Sequence, residues 1–266
     1  MTRIEQFGWR GPVEPGIARV VSAHGDYYHL VCNEQPQGEV LARKKKSAFR
    51  HGAVPPMTGD FVRFRHNESG ESLVLEVFPR FSHFERKDPG ARRSSQTLAV
   101  NFDTLFIMMS LNENFSLPRL ERYLALAEDI GDAEAVVVLT KADLPSAAER
   151  SSPDVRCRVH RVSCLTGEGL DDVRAYFGAG RTVAFVGSSG VGKSTLLNTL
   201  AGEELAATQE VQEWSGKGRH TTTSRELVML PCGAMALDTP GIREIGRIGE
   251  ADLTLAKGES THRWRR

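Results

Sequence analysis

Short runs rich in apolar residues, several of which alternate with polar residues, fill the first third of the chain. Five such runs lie between positions 16 and 81, separated by turns, and read GIARVVSAHG, YYHLVCN, GEVLARK, DFVRFRH and SLVLEVF. A period of two is typical of strands that bury one face. Five short strands in one span predict a small barrel such as an OB-fold, whose face and loops often bind nucleic acid. An inert structural barrel is the alternative, because a fold does not determine a function.

Near-continuous apolar runs alternate with amphipathic segments from about Val100 onward. FDTLFIMMSL, AEAVVVLTKAD, VRCRVHRVS and RTVAFVG predict buried strands, and RELVMLP and AMALDTPG predict two more. LPRLERYLALAEDIG, LDDVRAYFG and GKSTLLNTLAG predict helices between them. This alternation is typical of a mostly parallel sheet covered by helices on both faces. The predicted fold is therefore an N-terminal all-β OB-fold barrel, a linker around ERKDPGARRSSQ, and an α/β domain.

The composition narrows the functional classes. The chain has 266 residues, 40% of them hydrophobic and 26% charged, and its formal net charge is zero. These values are typical of a soluble globular protein, and any contact with nucleic acid must come from local basic patches. One such patch is a basic run in a predicted barrel loop, which is either a solvated surface or a contact to nucleic-acid phosphates. Its residues are Arg43, Lys44, Lys45 and Lys46.

The sequence also predicts where the protein works. No run of eighteen apolar residues and no leader-like apolar segment occurs, so we expect a cytoplasmic protein with no membrane contact. The four cysteines form neither a CxxC pair nor a Cys/His cluster. We therefore expect no zinc site and no disulfide bonds.

A glycine-rich stretch, GSSGVGKST, supplies the strongest chemical signal. It satisfies the phosphate-loop pattern G-x-x-x-x-G-K-[ST] and stands between a predicted strand and a predicted helix. The glycines let backbone N–H groups close around phosphates at a helix N-terminus. Lys193 would bridge the β- and γ-phosphates, and the Ser194 hydroxyl would bind Mg²⁺. The predicted nucleotide-binding residues here are Gly187, Ser188, Ser189, Gly190, Val191, Gly192, Lys193, Ser194 and Thr195.

Two stretches downstream could complete a magnesium and γ-phosphate site. Asp238, in DTPG, could hold Mg²⁺ through water, and the Gly241 N–H could meet the γ-phosphate. Alone, an Asp-x-x-Gly turn is ordinary loop chemistry. The glycine-rich stretch GKGRHTTT could supply one threonine hydroxyl, for which we take Thr222, to the Mg²⁺ shell and become ordered as a switch. A solvated loop is the alternative.

The tetrapeptide TKAD, at the end of a predicted strand, could recognise guanine. The Asp143 carboxylate could accept hydrogen bonds from guanine N1–H and N2–H₂, a pair that adenine lacks. The Lys141 stem could lie along the base, and Ser163-Cys164 could present a backbone N–H to guanine O6. A charged turn with no ligand is the alternative for this tetrapeptide alone. The predicted base-contacting residues are Thr140, Lys141, Ala142, Asp143, Ser163 and Cys164.

The motif order TKAD, SCLTGEGL, GSSGVGKST, GRHTTT and DTPG resembles that of the ribosome small-subunit-dependent GTPases, a family of circularly permuted GTPases. An ordinary GTPase has the phosphate loop first and the guanine-recognition motifs last. In a circular permutant the original N- and C-termini are joined and the chain begins at another point. The nucleotide site stays intact, because each loop still follows the same edge of the sheet. The resemblance assigns 1–82 to the OB-fold, 83–99 to the linker, 100–246 to the permuted GTPase domain and 247–266 to a tail.

The resemblance also implies a function. It predicts a monomeric GTPase that takes GTP as substrate, uses Mg²⁺, and binds the small ribosomal subunit and its rRNA during late assembly. GTP hydrolysis would drive release. Ile242 follows DTPG, where many GTPases place a glutamine that orients the attacking water. The resemblance assigns that role to His220, because a histidine can hold or deprotonate water at neutral pH.

The sequence departs from the family pattern at two points. Thr140 stands where the family usually has asparagine, and we find no cysteines suited to the family's C-terminal zinc module. Two other functions stay open at this point. One is a phosphate-loop ATPase or nucleotide kinase, and the other is a nucleotide-gated RNA-binding module without significant turnover.

Overall fold

The computed structural model describes residues 1–45, 47–49, 54–87, 95–148, 153–188, 190–201 and 226–237. The N-terminal part contains α1 (Arg3–Gln6), β1 (Ile17–His24), β2 (Tyr27–Cys32), β3 (Val40–Lys44), β4 (Phe61–Arg65), β5 (Ser72–Val77), β6 (His83–Lys87) and β7 (Ser95–Val100). The remainder contains β8 (Thr104–Ser110), α2 (Leu117–Leu126), β9 (Glu134–Thr140), α3 (Pro145–Ala148), β10 (Arg158–Val162), α4 (Leu170–Arg174), β11 (Thr182–Gly187), α5 (Lys193–Ala201), β12 (Leu227–Met229) and β13 (Met235–Leu237).

The first five strands close into a barrel in the order β1-β2-β3-β5-β4. All neighbours are antiparallel except β3 and β5, which run parallel. Alternate residues point inward, so that Val20, Leu30 and Phe64 pack together in a buried centre. The predicted five-stranded barrel is confirmed, and each strand falls within the stretch of sequence that predicted it.

The second part of the chain forms a six-stranded sheet in the order β10-β9-β8-β11-β13-β12. Its strands are parallel except for the antiparallel pair β12–β13, which confirms the predicted mostly parallel sheet. Strand β8 is buried along its whole length. Its residues alternate between two apolar clusters, with Leu105 and Ile107 in one and Phe106 and Met108 in the other. Both faces of the sheet are therefore covered.

A two-stranded hairpin, β6–β7, lies within the segment for which the sequence predicts a linker. Phe84 and Leu98 of this hairpin are buried in the same apolar cluster as Val21 and Val31 of the barrel and Leu105 of the sheet. The hairpin thus fills the space between barrel and sheet. Among the described residues, no helix is both long enough and apolar enough to cross a membrane.

Arg19, on strand β1, is 1% exposed and connects the barrel to the sheet. Its guanidinium group donates to the carbonyl oxygens of Phe7 at 2.6 Å and Asn101 at 2.7 Å, and to the Thr182 hydroxyl at 2.9 Å. Burial lowers the pKa of Arg19 to about 9, although the negative charge of Asp103 opposes this change. The group is therefore a buried cation at neutral pH. It connects the start of β11 to the barrel.

Candidate functional site

Strand order brings the two predicted recognition motifs to one edge of the sheet. Strands β9, β8 and β11 are parallel neighbours, so their carboxyl ends meet at that edge. Strand β9 ends at Thr140, immediately before the rest of TKAD, and β11 ends at Gly187, the first residue of the phosphate loop. In open α/β sheets, ligands bind in the crevice outside the carboxyl ends of the strands. Only β8 separates the two motifs.

The phosphate loop follows β11 and leads into helix α5. A Cβ on Gly187 would lie 2.8 Å from the carbonyl oxygen of Met108, so the loop can leave the sheet this closely only with glycine there. Gly190 and Gly192 have φ angles of +73° and +98°, in the left-handed region that favours glycine. The Leu196 N–H then bonds the Gly192 carbonyl at 2.8 Å and begins the helix. The local geometry therefore fits an anion-binding loop at a helix N-terminus.

The predicted guanine-recognition loop is held by a buried serine. Ser163 is fully buried, and its hydroxyl donates to Asp143 Oδ1 at 2.6 Å. The Ser163 hydroxyl oxygen itself accepts hydrogen bonds from the backbone N–H groups of Leu165 at 3.2 Å and Thr166 at 3.1 Å. The hydrogen bond from Ser163 thus holds the Asp143 carboxylate in one orientation. The sequence suggested Ser163 only as a neighbour of guanine O6, and its contact with Asp143 emerges from the fold.

Residues next to Asp143 connect this loop to its surroundings. Lys141 has φ +60°, a left-handed conformation that is uncommon outside glycine. The Ala142 N–H bonds the Val162 carbonyl at 3.0 Å, so the loop is tied to the end of β10. Burial raises the pKa of the Cys164 thiol, which therefore stays protonated at neutral pH.

The basic run of the barrel lies at the end of β3, beside an aromatic residue. The Arg43 guanidinium lies 4.6 Å from the ring centre of Tyr27, which is 38% exposed, and donates to its hydroxyl at 2.8 Å. Acidic residues offset part of the positive charge, because Glu71 pairs with Arg43 at 3.2 Å and Asp26 with Lys44 at 2.8 Å. An exposed aromatic ring stacked with an arginine is a common platform for nucleic-acid bases. The sequence prediction named the cations, and the structure adds Tyr27 beside Arg43.

Several predicted site residues lie outside the described residues. They are Lys46, Ser189, His220, Thr222, Asp238 and Gly241. Of the predicted magnesium ligands, the described part of the chain includes Ser194, in the first turn of α5. Within that part, no group of three or more His, Cys, Asp or Glu residues is placed to hold a metal ion.

Comparison with solved structures defines the class of fold. The chain is similar to YjeQ from Thermotoga maritima, with a TM-score of 0.62 and 23% identity over 86% of this chain and 76% of the other. It is also similar to YloQ, described as a circularly permuted GTPase, with a TM-score of 0.56 and 22% identity over 85% of this chain and 71% of the other. The fold is that of a circularly permuted GTPase.

The family follows from sequence comparison. The model of the RsgA GTPase family matches residues 77–248. A small ribosomal subunit biogenesis GTPase RsgA 2 from Lactiplantibacillus plantarum is 42% identical over 91% of this chain and 70% of its own length. A protein with the same description from Vibrio vulnificus is 43% identical over 86% of this chain and 63% of its own length. The chain thus spans about two thirds of these relatives. It belongs to the RsgA GTPase family, which confirms the resemblance drawn from its motifs.

Proposed function

We propose that this protein is a GTPase that binds the small ribosomal subunit during late assembly and hydrolyses GTP to GDP and phosphate to drive its own release. The observation that supports this most directly is the pairing of Asp143 with buried Ser163, one strand away from a glycine loop shaped for phosphates. Both curated relatives described above carry ribosomal small-subunit biogenesis in their names.

Guanine selection would rest on the Asp143 carboxylate. Its Oδ1 is occupied by the Ser163 hydroxyl at 2.6 Å, which holds the carboxylate plane in one orientation. Guanine offers two N–H donors to such a group, whereas adenine would leave the carboxylate without them. A charged group left without its hydrogen bonds costs more than a neutral one. The preorganised carboxylate therefore favours GTP over ATP.

Phosphate binding would rest on the loop between β11 and α5. Its glycines leave backbone N–H groups free of side-chain obstruction, and the α5 N-terminus favours negative charge. Lys193 would neutralise the β- and γ-phosphates, and the Ser194 hydroxyl is a hard oxygen ligand of the type that Mg²⁺ prefers. Bound Mg²⁺ would neutralise the charge that develops on the phosphates during transfer.

We extend this proposal to the residues for which only the sequence provides support. Asp238 and Thr222 would complete the Mg²⁺ shell, and Gly241 would contact the γ-phosphate. His220 would orient the attacking water when the protein is bound to the ribosomal subunit. In this proposal the barrel, residues 1–82, contacts rRNA, and residues 100–246 bind the nucleotide. Removing the imidazole in His220→Ala should abolish the subunit-stimulated rate while GDP affinity stays unchanged.

Steady-state hydrolysis of GTP and ATP, with and without purified small ribosomal subunits, tests the proposal. We expect slow turnover of GTP alone, strong stimulation by the subunits, and little ATP turnover in either case. Lys193→Ala serves as the control for contaminating hydrolases, since it removes the phosphate-binding cation. A preference for ATP would indicate a different phosphate-loop enzyme. Negligible turnover with every partner would indicate a nucleotide-gated binding module.

A further inference from the structure

Strand β1 of the barrel contains a β-bulge on the side that meets the six-stranded sheet. Val20 and Ser22 are two positions apart on β1 but pair with neighbouring residues of β2, so Val21 is the extra residue. Val20 belongs to the apolar cluster of the barrel, and Ala23 packs against the same cluster beyond the bulge. Successive inward positions are therefore three residues apart instead of two, and Val21 and Ser22 both lie between them.

These two residues join the barrel to the edge of the sheet. Val21 is 5% exposed and belongs to the apolar cluster that also contains Leu227 of β12 and Leu237 of β13. Ser22 forms an isolated antiparallel β-bridge with Glu226, the residue immediately before β12. Strand β12 is the last strand of the sheet on this side, so β1 extends the sheet at this point. We call Val21, Ser22 and Glu226 the β1–β12 junction.

A glycine next to the junction brings the barrel close to the end of β13. The Gly59 N–H donates to the carbonyl oxygen of Val20 at 2.8 Å. A Cβ on Gly59 would lie 2.7 Å from the Val100 carbonyl oxygen and 3.6 Å from the Leu237 side chain. Any larger residue would therefore push these segments apart. The contact between barrel and sheet thus reaches Leu237, the last residue of β13.

The two strand ends at the junction lead to the predicted magnesium ligands. Leu227 and Leu237 pair with each other across the antiparallel strands β12 and β13. In the sequence, Thr222 stands four positions before Glu226, and Asp238 directly follows Leu237. Consecutive Cα atoms are about 3.8 Å apart, and four residues span at most about 14 Å. The positions of the two strand ends therefore limit where both ligands can lie.

We propose that Val21 and Ser22 are positioning residues through which the barrel fixes the strand ends that lead to Thr222 and Asp238, and that the subunit-stimulated rate of GTP hydrolysis depends on them. This inference rests on the proposed function. The guanine-recognition loop and the phosphate loop follow other strands, β9 and β11, so the junction should not change nucleotide affinity. Val21 is buried, so its side chain should not change affinity for the subunit either.

GTP hydrolysis by the full chain and its variants, measured at saturating small ribosomal subunits, tests the inference. Val21→Ala removes two methyl groups from the junction. Val20→Ala is the matched control, because it removes the same atoms from the adjacent buried residue that faces the barrel interior. We expect Val21→Ala to lower the stimulated kcat about tenfold, since a small displacement of a catalytic group slows the reaction strongly.

The other measured quantities should stay nearly constant. In Val20→Ala the stimulated kcat should remain within about twofold of the unmodified chain. The same limit should hold in both variants for the basal rate and for the dissociation constants of GDP and of the subunit, because the lost contact acts on the stimulated step alone. Val21→Ile, which keeps the apolar contact, should retain most of the stimulated rate.

The remaining outcomes overturn the inference in distinguishable ways. Equal losses in the two alanine variants would indicate general destabilisation of the barrel, and an unchanged rate in Val21→Ala would show that the junction has no effect on hydrolysis. Weaker subunit binding with an unchanged kcat at saturation would assign the junction to subunit binding. If Val21→Ala does not fold, Val21→Thr and Val20→Thr give the same comparison without loss of volume. If the subunits do not stimulate the unmodified chain, the proposed function fails together with this inference.

Discussion

The Arg19 guanidinium and the Thr182 hydroxyl, 2.9 Å apart, join the barrel to the first residue of the strand that leads into the phosphate loop. The same guanidinium bonds carbonyl oxygens from two further segments, at Phe7 and Asn101. A barrel held this way cannot rotate freely against the sheet. If rRNA contacts the barrel as proposed, a displacement of the barrel would be transmitted to the sheet that carries the phosphate loop.

Arg19→Met should destabilise the protein strongly. The thioether fills part of the space but leaves several buried carbonyl groups without a donor, and we expect a loss of about 3 kcal/mol in the free energy of unfolding. Urea denaturation followed by circular dichroism measures this loss. Arg65→Met is the matched control, because Arg65 is an exposed arginine on β4 of the same barrel and should change stability by less than about 0.5 kcal/mol. Equal stability of the two variants would show that the buried network contributes nothing.

Asp143→Asn should exchange guanine preference for xanthine preference. The asparagine oxygen can keep the hydrogen bond from Ser163, while its amide group presents a donor where the carboxylate presented an acceptor. Two lost hydrogen bonds to a charged group should weaken GDP binding at least about 100-fold. Xanthosine diphosphate, which carries a carbonyl at the position of the N2 amino group, should bind the variant more tightly than GDP. Competition titrations check this reversal, and weakened binding of both nucleotides would argue against base contact by Asp143.

Gly187→Ala should impair nucleotide binding through a backbone clash. The new Cβ would lie 2.8 Å from the Met108 carbonyl oxygen, so the start of the phosphate loop must move away from β8. We expect GDP affinity to fall at least about tenfold, which corresponds to a loss of roughly 1.4 kcal/mol in binding free energy, because the loop is no longer held in its binding conformation. Gly178→Ala is the control, since its Cβ would meet only the Arg181 side chain at an ordinary 3.6 Å. Unchanged affinity in Gly187→Ala would mean that the loop tolerates this displacement.

Tyr27→Ala and Arg43→Gln should weaken binding of the protein to rRNA in different ways. Loss of the Tyr27 ring should cost about 1–3 kcal/mol if a base stacks on it, with little change in salt dependence. Loss of the Arg43 charge should reduce the slope of log affinity against log salt by about one if it contacts a phosphate. Arg63→Gln, on β4 and 5.3 Å from the Phe78 ring, is the control. Filter-binding titrations at several salt concentrations separate the two effects, and three identical curves would place the rRNA contact elsewhere.

The barrel and the sheet could both be predicted, because the sequence patterns that indicate their strands lie within a few neighbouring residues. Strand β8, TLFIMMS, is a continuous apolar run that only a sheet covered on both faces can bury, and β3 alternates between buried and less buried residues, as a barrel strand with one solvated face does. The hairpin β6–β7 was missed because ERKDPGARRSSQ is polar, and the apolar residues that bury the hairpin flank that stretch. Phe84 and Leu98 gain their burial from the barrel and from the sheet, and no local pattern contains that information.

The amino-acid sequence by itself determined the five barrel strands, the main strands and helices of the sheet domain, the phosphate loop and the permuted order of the motifs, because each depends on residues close together in the chain. Tertiary structure alone decided which side chains support the site. Ser163 meets Asp143 from 20 positions away, Thr140 meets Val191 from 51 positions away, and Arg19 meets Thr182 from 163 positions away. A hydrogen bond requires two atoms within about 3 Å. Only the packing of strands against one another brings such distant residues to that distance.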